Sequence, residues 1–154
     1  AIMKLADDRD KRQNGRRCRG IGTYLSRAVV RSAENAVYSD QEVSGIPEDL
    51  RNKFLLVSKT NRKVFRVSPD LRGLSEWRVA NLIQRETLSN ISADVVFIRN
   101  VLIYFEESTQ ERVLQNILSC LRPGGYLLTG HSETNVVRGM SMKTIRPTIY
   151  QKAK

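Results

Sequence analysis

Polar and apolar positions follow two rhythms along this chain, and both are clearest between Ala93 and Glu133. Asp94 to Ile98 (DVVFI) is an almost unbroken apolar run that stops on the polar pair Arg99-Asn100. That is the pattern of a short strand buried on both faces of a parallel sheet, with polar side chains at its carboxyl end. After the connection Val101 to Phe105, Ser108-Thr109-Gln110-Glu111 has the form of a capping box, which predicts a helix starting near Ser108. Val113, Leu114, Ile117, Leu118 and Leu121 recur on one helical face. Pro123-Gly124-Gly125 is expected to end the helix, since proline lacks a donor and glycine accepts positive φ. Tyr126 to Thr129 follows as a strand, which completes a β-α-β unit.

The same rhythms continue on both sides. Ala1 to Ala6 (AIMKLA) has helical spacing without a cap, and Asp7 to Arg19 is a charged connection with a turn at Asn14-Gly15. Gly20 to Leu25 predicts a strand, and Ser26 is placed to cap a helix from Arg27 to about Ala36. Ile46-Pro47-Glu48-Asp49 starts a short helix, and Phe54 to Ser58 with Lys63 to Val67 predicts a hairpin around Lys59-Thr60-Asn61-Arg62. Glu76 to Leu82 returns to a strand pattern ending on the polar Asn81, so the helix and hairpin form an insertion between core strands. Ser141 to Ile145 and Thr148 to Gln151 alternate around Arg146-Pro147, as an antiparallel pair would.

Composition narrows the classes. A chain of 154 residues makes about one domain and buries roughly two-thirds of its unfolded surface. It has no long apolar run and no secretory pattern, which excludes membrane insertion by a helix and points to the cytoplasm. Cys18 and Cys120 lack the close spacing of metal ligands and are expected to be reduced thiols. A net charge of +10 suits an acidic partner. With one Trp and no clustered aromatics, nucleic acid is the least favoured candidate. His131, the single histidine, has no partners for a metal and is expected to order its loop.

Open parallel sheets bind ligands outside the carboxyl ends of their strands, where Arg99, Asn100 and Gly130-His131-Ser132-Glu133 fall. Here the order FIRNVLIYF, helix, LRPGGYLLTGHSE resembles the CheR-type chemotaxis receptor methyltransferases, which methylate glutamate side chains with S-adenosylmethionine. The resemblance spans the chain, from AIMKLA to the terminal hairpin. It implies an α/β fold with a Rossmann-like class I methyltransferase sheet, mostly parallel and closed by the antiparallel hairpin. It also implies that residues 1–154 form part of such a domain, with residues 43–67 as a small inserted β-subdomain of the kind that can dock a receptor tether. The family's first core strand and its Gly-Glu-rich turn would lie before Ala1, leaving the second and fourth strands with unpaired edges and open to self-association.

By the same resemblance, Asn81, Leu82, Arg99 and Asn100 contact the cofactor, while Arg99 and Tyr104 line the active site. S-adenosylhomocysteine is the product, and the partner is the cytoplasmic, acidic part of a chemoreceptor. Arg99 can hold a carboxylate in a forked pair, and Tyr104 can direct a hydroxyl at the reacting centre. Taken singly, Tyr104 also suits a half-buried phenol and Asn100 a turn cap. One departure bears on activity: Tyr24 stands where the family pattern carries an acid for the ribose hydroxyls. Two readings therefore stand together, a methyltransferase domain whose isolated activity is weak and a degenerate, non-catalytic adaptor of the same fold.

Overall fold

The computed structural model describes residues 19–153, so the expectations for Ala1 to Cys18 lie outside the described residues. The chain divides into two compact units, one running to Val79 and the other starting at Ala80.

In the first unit the elements are β1 (Gly20–Tyr24), α1 (Arg27–Asn35), β2 (Val37–Ser39), α2 (Asp40–Val43), α3 (Glu48–Phe54), β3 (Leu55–Val57), β4 (Val64–Val67), α4 (Pro69–Arg72) and β5 (Ser75–Val79). Strands β1 and β5 pair in parallel from Gly20↔Ser75 to Tyr24↔Val79. Gly22 is required there, because a Cβ would overlap the indole of its partner Trp77. As expected, Ser26 caps α1, accepting from the Val29 amide, and Ala36 ends it at φ 50°. The expected hairpin is present as β3 and β4, and β2 joins it to give the antiparallel order β2-β4-β3. Three residues are too few for an alternation to announce β2. Ser39 opens α2 with a reciprocal capping box to Glu42, whose carboxyl is held below its ordinary range by the Ser39 amide and hydroxyl. Val43, Leu55 and Phe65 form one small core, Phe54 and Leu71 another.

The second unit contains β6 (Ala93–Ile98), α5 (Glu107–Cys120), β7 (Leu121–Thr129), α6 (Thr134–Arg138), β8 (Met142–Arg146) and β9 (Ile149–Lys152). The sheet order is β6-β7-β9-β8, with β6 and β7 parallel and the terminal hairpin antiparallel. The helical face read from the sequence is the core face: Val113, Leu114, Ile117 and Leu121 pack with Ile98, Leu102, Leu127, Val137 and Tyr150.

Three expectations need correction. The Ser108 capping box does not form; Glu106 is the N-cap, and its carbonyl already accepts from the Thr109 and Gln110 amides, so Ser108 lies inside the first turn. Pro123-Gly124-Gly125 does not end the helix. Helix α5 stops at Cys120, where Lys152 Nζ takes the Leu118 and Leu121 carbonyls at 2.7 and 2.8 Å, a cation closing the helix from a neighbouring strand. The Pro-Gly-Gly run instead sits in β7, where the register jumps from Ala93↔Leu121 to Val95↔Tyr126 and Gly124 takes φ 74°. Strand β6 is buried on one face only, with Val95 45% and Phe97 57% exposed on the other. The parallel pairs β1-β5 and β6-β7 belong to separate sheets among the described residues, and β1 and β6 each keep one open edge, in line with the gap expected between the second and fourth strands.

The β8-β9 turn stores strain. Thr148 follows Pro147 with φ 64°, the order of a type II turn, whose third position favours glycine or asparagine. A β-branched residue pays about 1–2 kcal/mol in that region. Thr148→Asn is expected to raise the unfolding free energy by about 1 kcal/mol, read from a denaturant midpoint. An unchanged midpoint would show that the threonine recovers the strain through its contacts.

Candidate functional site

Two turns in the second unit carry the residues that the sequence singled out. In the first, which follows Ala80, Asn81 Oδ1 accepts from the Ile83 amide at 3.1 Å, an Asx turn that fixes Leu82 between them. Thr87 Oγ1 accepts from the Asn81 amide at 3.1 Å and donates to its carbonyl at 2.8 Å. The turn is fastened from α5: Asn116 Nδ2 donates to the Leu82 and Ile83 carbonyls at 2.9 and 3.0 Å. Asn116 is only 8% exposed, so both donor hydrogens are committed where water is scarce.

The second turn follows β6. Ile98 is buried and its carbonyl accepts from the Gly130 amide at 3.1 Å, which sets the end of β6 beside the end of β7. Arg99 and Asn100 are exposed, and Asn100 takes φ 57°, a left-handed conformation that asparagine tolerates better than most residues. Leu102 then enters the core, and the short 3-10 turn Leu102–Tyr104 turns Ile103 and Tyr104 outward, at 53% and 80% exposure. The Arg99 guanidinium and the Tyr104 hydroxyl have no hydrogen-bond or ion-pair partner among the described residues. They are free to take a ligand.

Beneath this turn lies Glu133, fully buried, with Oε1 accepting from the Val101 amide at 3.0 Å and Oε2 from the Ser132 hydroxyl at 2.8 Å. The loop-ordering role expected of His131 therefore falls to its neighbour, since His131 is exposed. The structure thus gathers Arg99, Asn100 and Tyr104 on one turn with the Gly130-to-Glu133 segment under it, and places Asn81 and Leu82 on another turn. Asn116 and Glu133 are the residues that sequence reasoning missed. Asn116 had a signal, a polar side chain amid the apolar stripe of Val113, Leu114, Ile117 and Cys120.

Elsewhere the chemistry is thin. A cleft of about 490 Å³ lined by Arg19, Glu34, Arg72, Glu76 and Trp77 opens at the amino ends of β1 and β5, the end of a parallel pair away from ligand crevices. Glu76 there is held below the ordinary carboxylate range, first by its hydrogen bond from Arg78 and then by charge from Arg78 and Arg19. No metal-binding cluster and no helix long and apolar enough to cross a membrane occur among the described residues. Tyr24, at the end of β1, is 56% exposed.

Known proteins resemble this chain as a whole. Residues 2–149 match the profile of the CheR methyltransferase SAM-binding domain. The chain is 31% identical over 134 residues to chemotaxis protein methyltransferase 2 of Pseudomonas aeruginosa, covering 86% of this chain and 48% of that protein. To the chemotaxis protein methyltransferase of Borreliella burgdorferi it is 30% identical over 133 residues, 86% of this chain and 46% of that protein. To that of Salmonella typhimurium it is 31% identical over 118 residues, 75% of this chain and 41% of that protein. The chain thus spans about half the length of the curated relatives it matches. Since the matched profile extends over nearly all of its residues, the chain belongs to the CheR methyltransferase family, of which it carries the SAM-binding domain.

Proposed function

We propose that this chain is the cofactor-binding and catalytic part of an enzyme that methylates glutamate side chains of chemoreceptors. The observation that carries this is the free Arg99 guanidinium, exposed beside Tyr104 at the carboxyl end of a parallel strand in a chain of this family. S-adenosylmethionine, when bound, supplies a methyl group on a sulfonium. A glutamate carboxylate with an ordinary pKa of about 4.3 is ionised at neutral pH and needs no general base. The work of this chain is then orientation: Arg99 grips the carboxylate by its fork, and Tyr104 directs its hydroxyl to the reacting centre. Asn81, Leu82 and Asn100, with Arg99, contact the cofactor. The unpaired donors of these turns fit the polar groups of such a cofactor.

The receptor meets the chain through charge, a net +10 against an acidic surface. The inserted sheet adds a docking edge, because β3 is an outer strand with Leu56 and Val57 53% and 52% exposed beside the basic tip Lys59, Arg62 and Lys63. A second reading, an adaptor that has lost cofactor affinity, is favoured by Tyr24, since a phenol cannot accept two ribose hydroxyls as a carboxylate does.

Titration calorimetry with S-adenosylhomocysteine separates the two. Replacing a charged acceptor costs about 1.5–3 kcal/mol, so the chain is expected to bind about tenfold to a hundredfold more weakly than its Tyr24→Asp variant. Absence of heat at millimolar ligand in both would assign the chain to the adaptor reading. Equal affinity in the two would show that Tyr24 costs nothing.

A further inference from the structure

We infer that Glu133 is a positioning residue of the cofactor site: its carboxylate locks the Arg99-Asn100 turn in its binding conformation. The inference rests on the methyltransferase reading above and assigns a role to a residue that touches no ligand in it.

A carboxylate taken wholly out of water is costly unless its oxygens are hydrogen-bonded. Glu133 is fully buried and has no cationic partner among the described residues, yet both of its oxygens are engaged, one by the Val101 amide and one by the Ser132 hydroxyl. An apolar side chain of similar volume would avoid that desolvation cost but would leave the Val101 amide without its acceptor. What it adds is direction. The Val101 amide is the first donor after Asn100, so the bond from Oε1 fixes the peptide plane that follows the left-handed residue. On the other side, the Ile98 carbonyl is fixed by the Gly130 amide at 3.1 Å. Arg99 and Asn100 are therefore held between two pinned peptide planes, Arg99 with its guanidinium exposed and Asn100 with its side-chain oxygen over Gly130.

Gly130 completes the lock. A Cβ at this position would overlap Glu133 Oε2 and come within 3.2 Å of Asn100 Oδ1, so a larger residue here would displace the carboxylate from its present place. Three residues from two loops, Asn100, Gly130 and Glu133, thus form one interlocked unit. The exposed cofactor-binding residues stand on a buried fastener.

The test uses the 154-residue chain with Glu133→Ala, Glu133→Asp and Glu133→Gln. Hydrogen exchange at the Val101 amide, calorimetry with S-adenosylhomocysteine and the melting midpoint are read on each. Glu133→Ala is expected to lose Val101 protection and to weaken S-adenosylhomocysteine binding by about tenfold to a hundredfold. Gln keeps an acceptor for Val101 and an amide that Ser132 can accept from, so it is expected to retain both within about threefold. If the alanine variant does not fold, Asp, one methylene too short to span both donors, takes its place with the same expected losses. Wild-type affinity in a folded Ala or Asp variant overturns the inference. So does an affinity loss in Gln with Val101 still protected, which would assign the role to charge, and so does an equal loss of protection throughout β6 and β7, which would mark a merely structural part. Should the wild-type chain bind no S-adenosylhomocysteine, the methyltransferase reading fails on its own, while Val101 exchange still decides whether Glu133 holds the turn.

Discussion

Arg99→Ala is expected to lower methyl transfer to a glutamate-bearing receptor fragment by about 10²–10³-fold, while affinity for S-adenosylhomocysteine falls by less than about tenfold. The asymmetry follows from what the guanidinium has to do. On the proposed reading, product binding is shared among Asn81, Leu82, Asn100 and the backbone of the turn, so losing one participant is a modest loss. The incoming carboxylate has no other cation at this turn among the described residues: the nearest in sequence, Arg85 and Arg112, belong to other elements. Without the fork, the carboxylate must be aligned for in-line attack by diffusion, and alignment is where a reaction without base catalysis gains most of its rate. Arg99→Lys retains the charge but not the forked geometry, and should fall between wild type and alanine. Incorporation of labelled methyl and calorimetric affinity, measured side by side in an active protein carrying this chain, check the claim. Full activity in Arg99→Ala removes Arg99 from the mechanism.

The sequence carried the fold wherever a rhythm ran long enough to be counted. Helix α5 was legible because Val113, Leu114 and Ile117 recur on one helical face and are in fact among its buried residues. The β3-β4 hairpin and the Ser26 cap were legible because their signals are local. What failed depended on partners remote in sequence. Ser108-x-x-Glu111 had the form of a capping box, but Phe105 packs against the core and brings the helix start forward to Glu106. The helix end was assigned to Pro123 on local grounds, whereas Lys152, more than thirty residues away, closes it at Cys120. A short apolar run such as Asp94 to Ile98 looks the same whether one face or two is covered, so the exposure of Val95 and Phe97 could not be read from it.

The site was legible on its surface and hidden underneath. Arg99 and Asn100 stood out because polar residues interrupt an apolar run at a strand end, and Tyr104 only through the family resemblance. Glu133 did not, because a carboxylate in a polar loop is ordinarily solvated, and only the register Ile98↔Thr129 brings it under Val101. Asn116 could have been suspected from its place on an apolar helical face, but its partners, the Leu82 and Ile83 carbonyls, are backbone atoms with no sequence signature. Exposed polar residues at a strand end are thus easier to find from sequence than the buried polar residues that fasten the turn beneath them.

Leu127→Ala is expected to destabilise the second unit by about 3–5 kcal/mol, the range for a fully buried leucine whose cavity cannot collapse. Leu127 is 0% exposed and sits in the central strand of its sheet, with Val96 beside it on β6 and Tyr150 on β9. Hydrogen-bonded strands flank it on both sides and α5 packs on the same core, so the surroundings have little freedom to close over the gap. Against a typical total of about 5–15 kcal/mol, this loss lowers the melting midpoint by about 10 °C or more and leaves a substantial unfolded fraction at growth temperature. Phe97→Ala is the control. Phe97 is on the opposite face of the sheet and 57% exposed, so truncation should cost less than about 1 kcal/mol. Denaturant titration of both variants over a range of protein concentration makes the comparison. A Phe97 effect as large as that of Leu127, and growing with concentration, would mean that a second copy covers this face, an association that the open edge of β6 permits. A small Leu127 effect would mean that the α5-β7 core is not what holds the unit together.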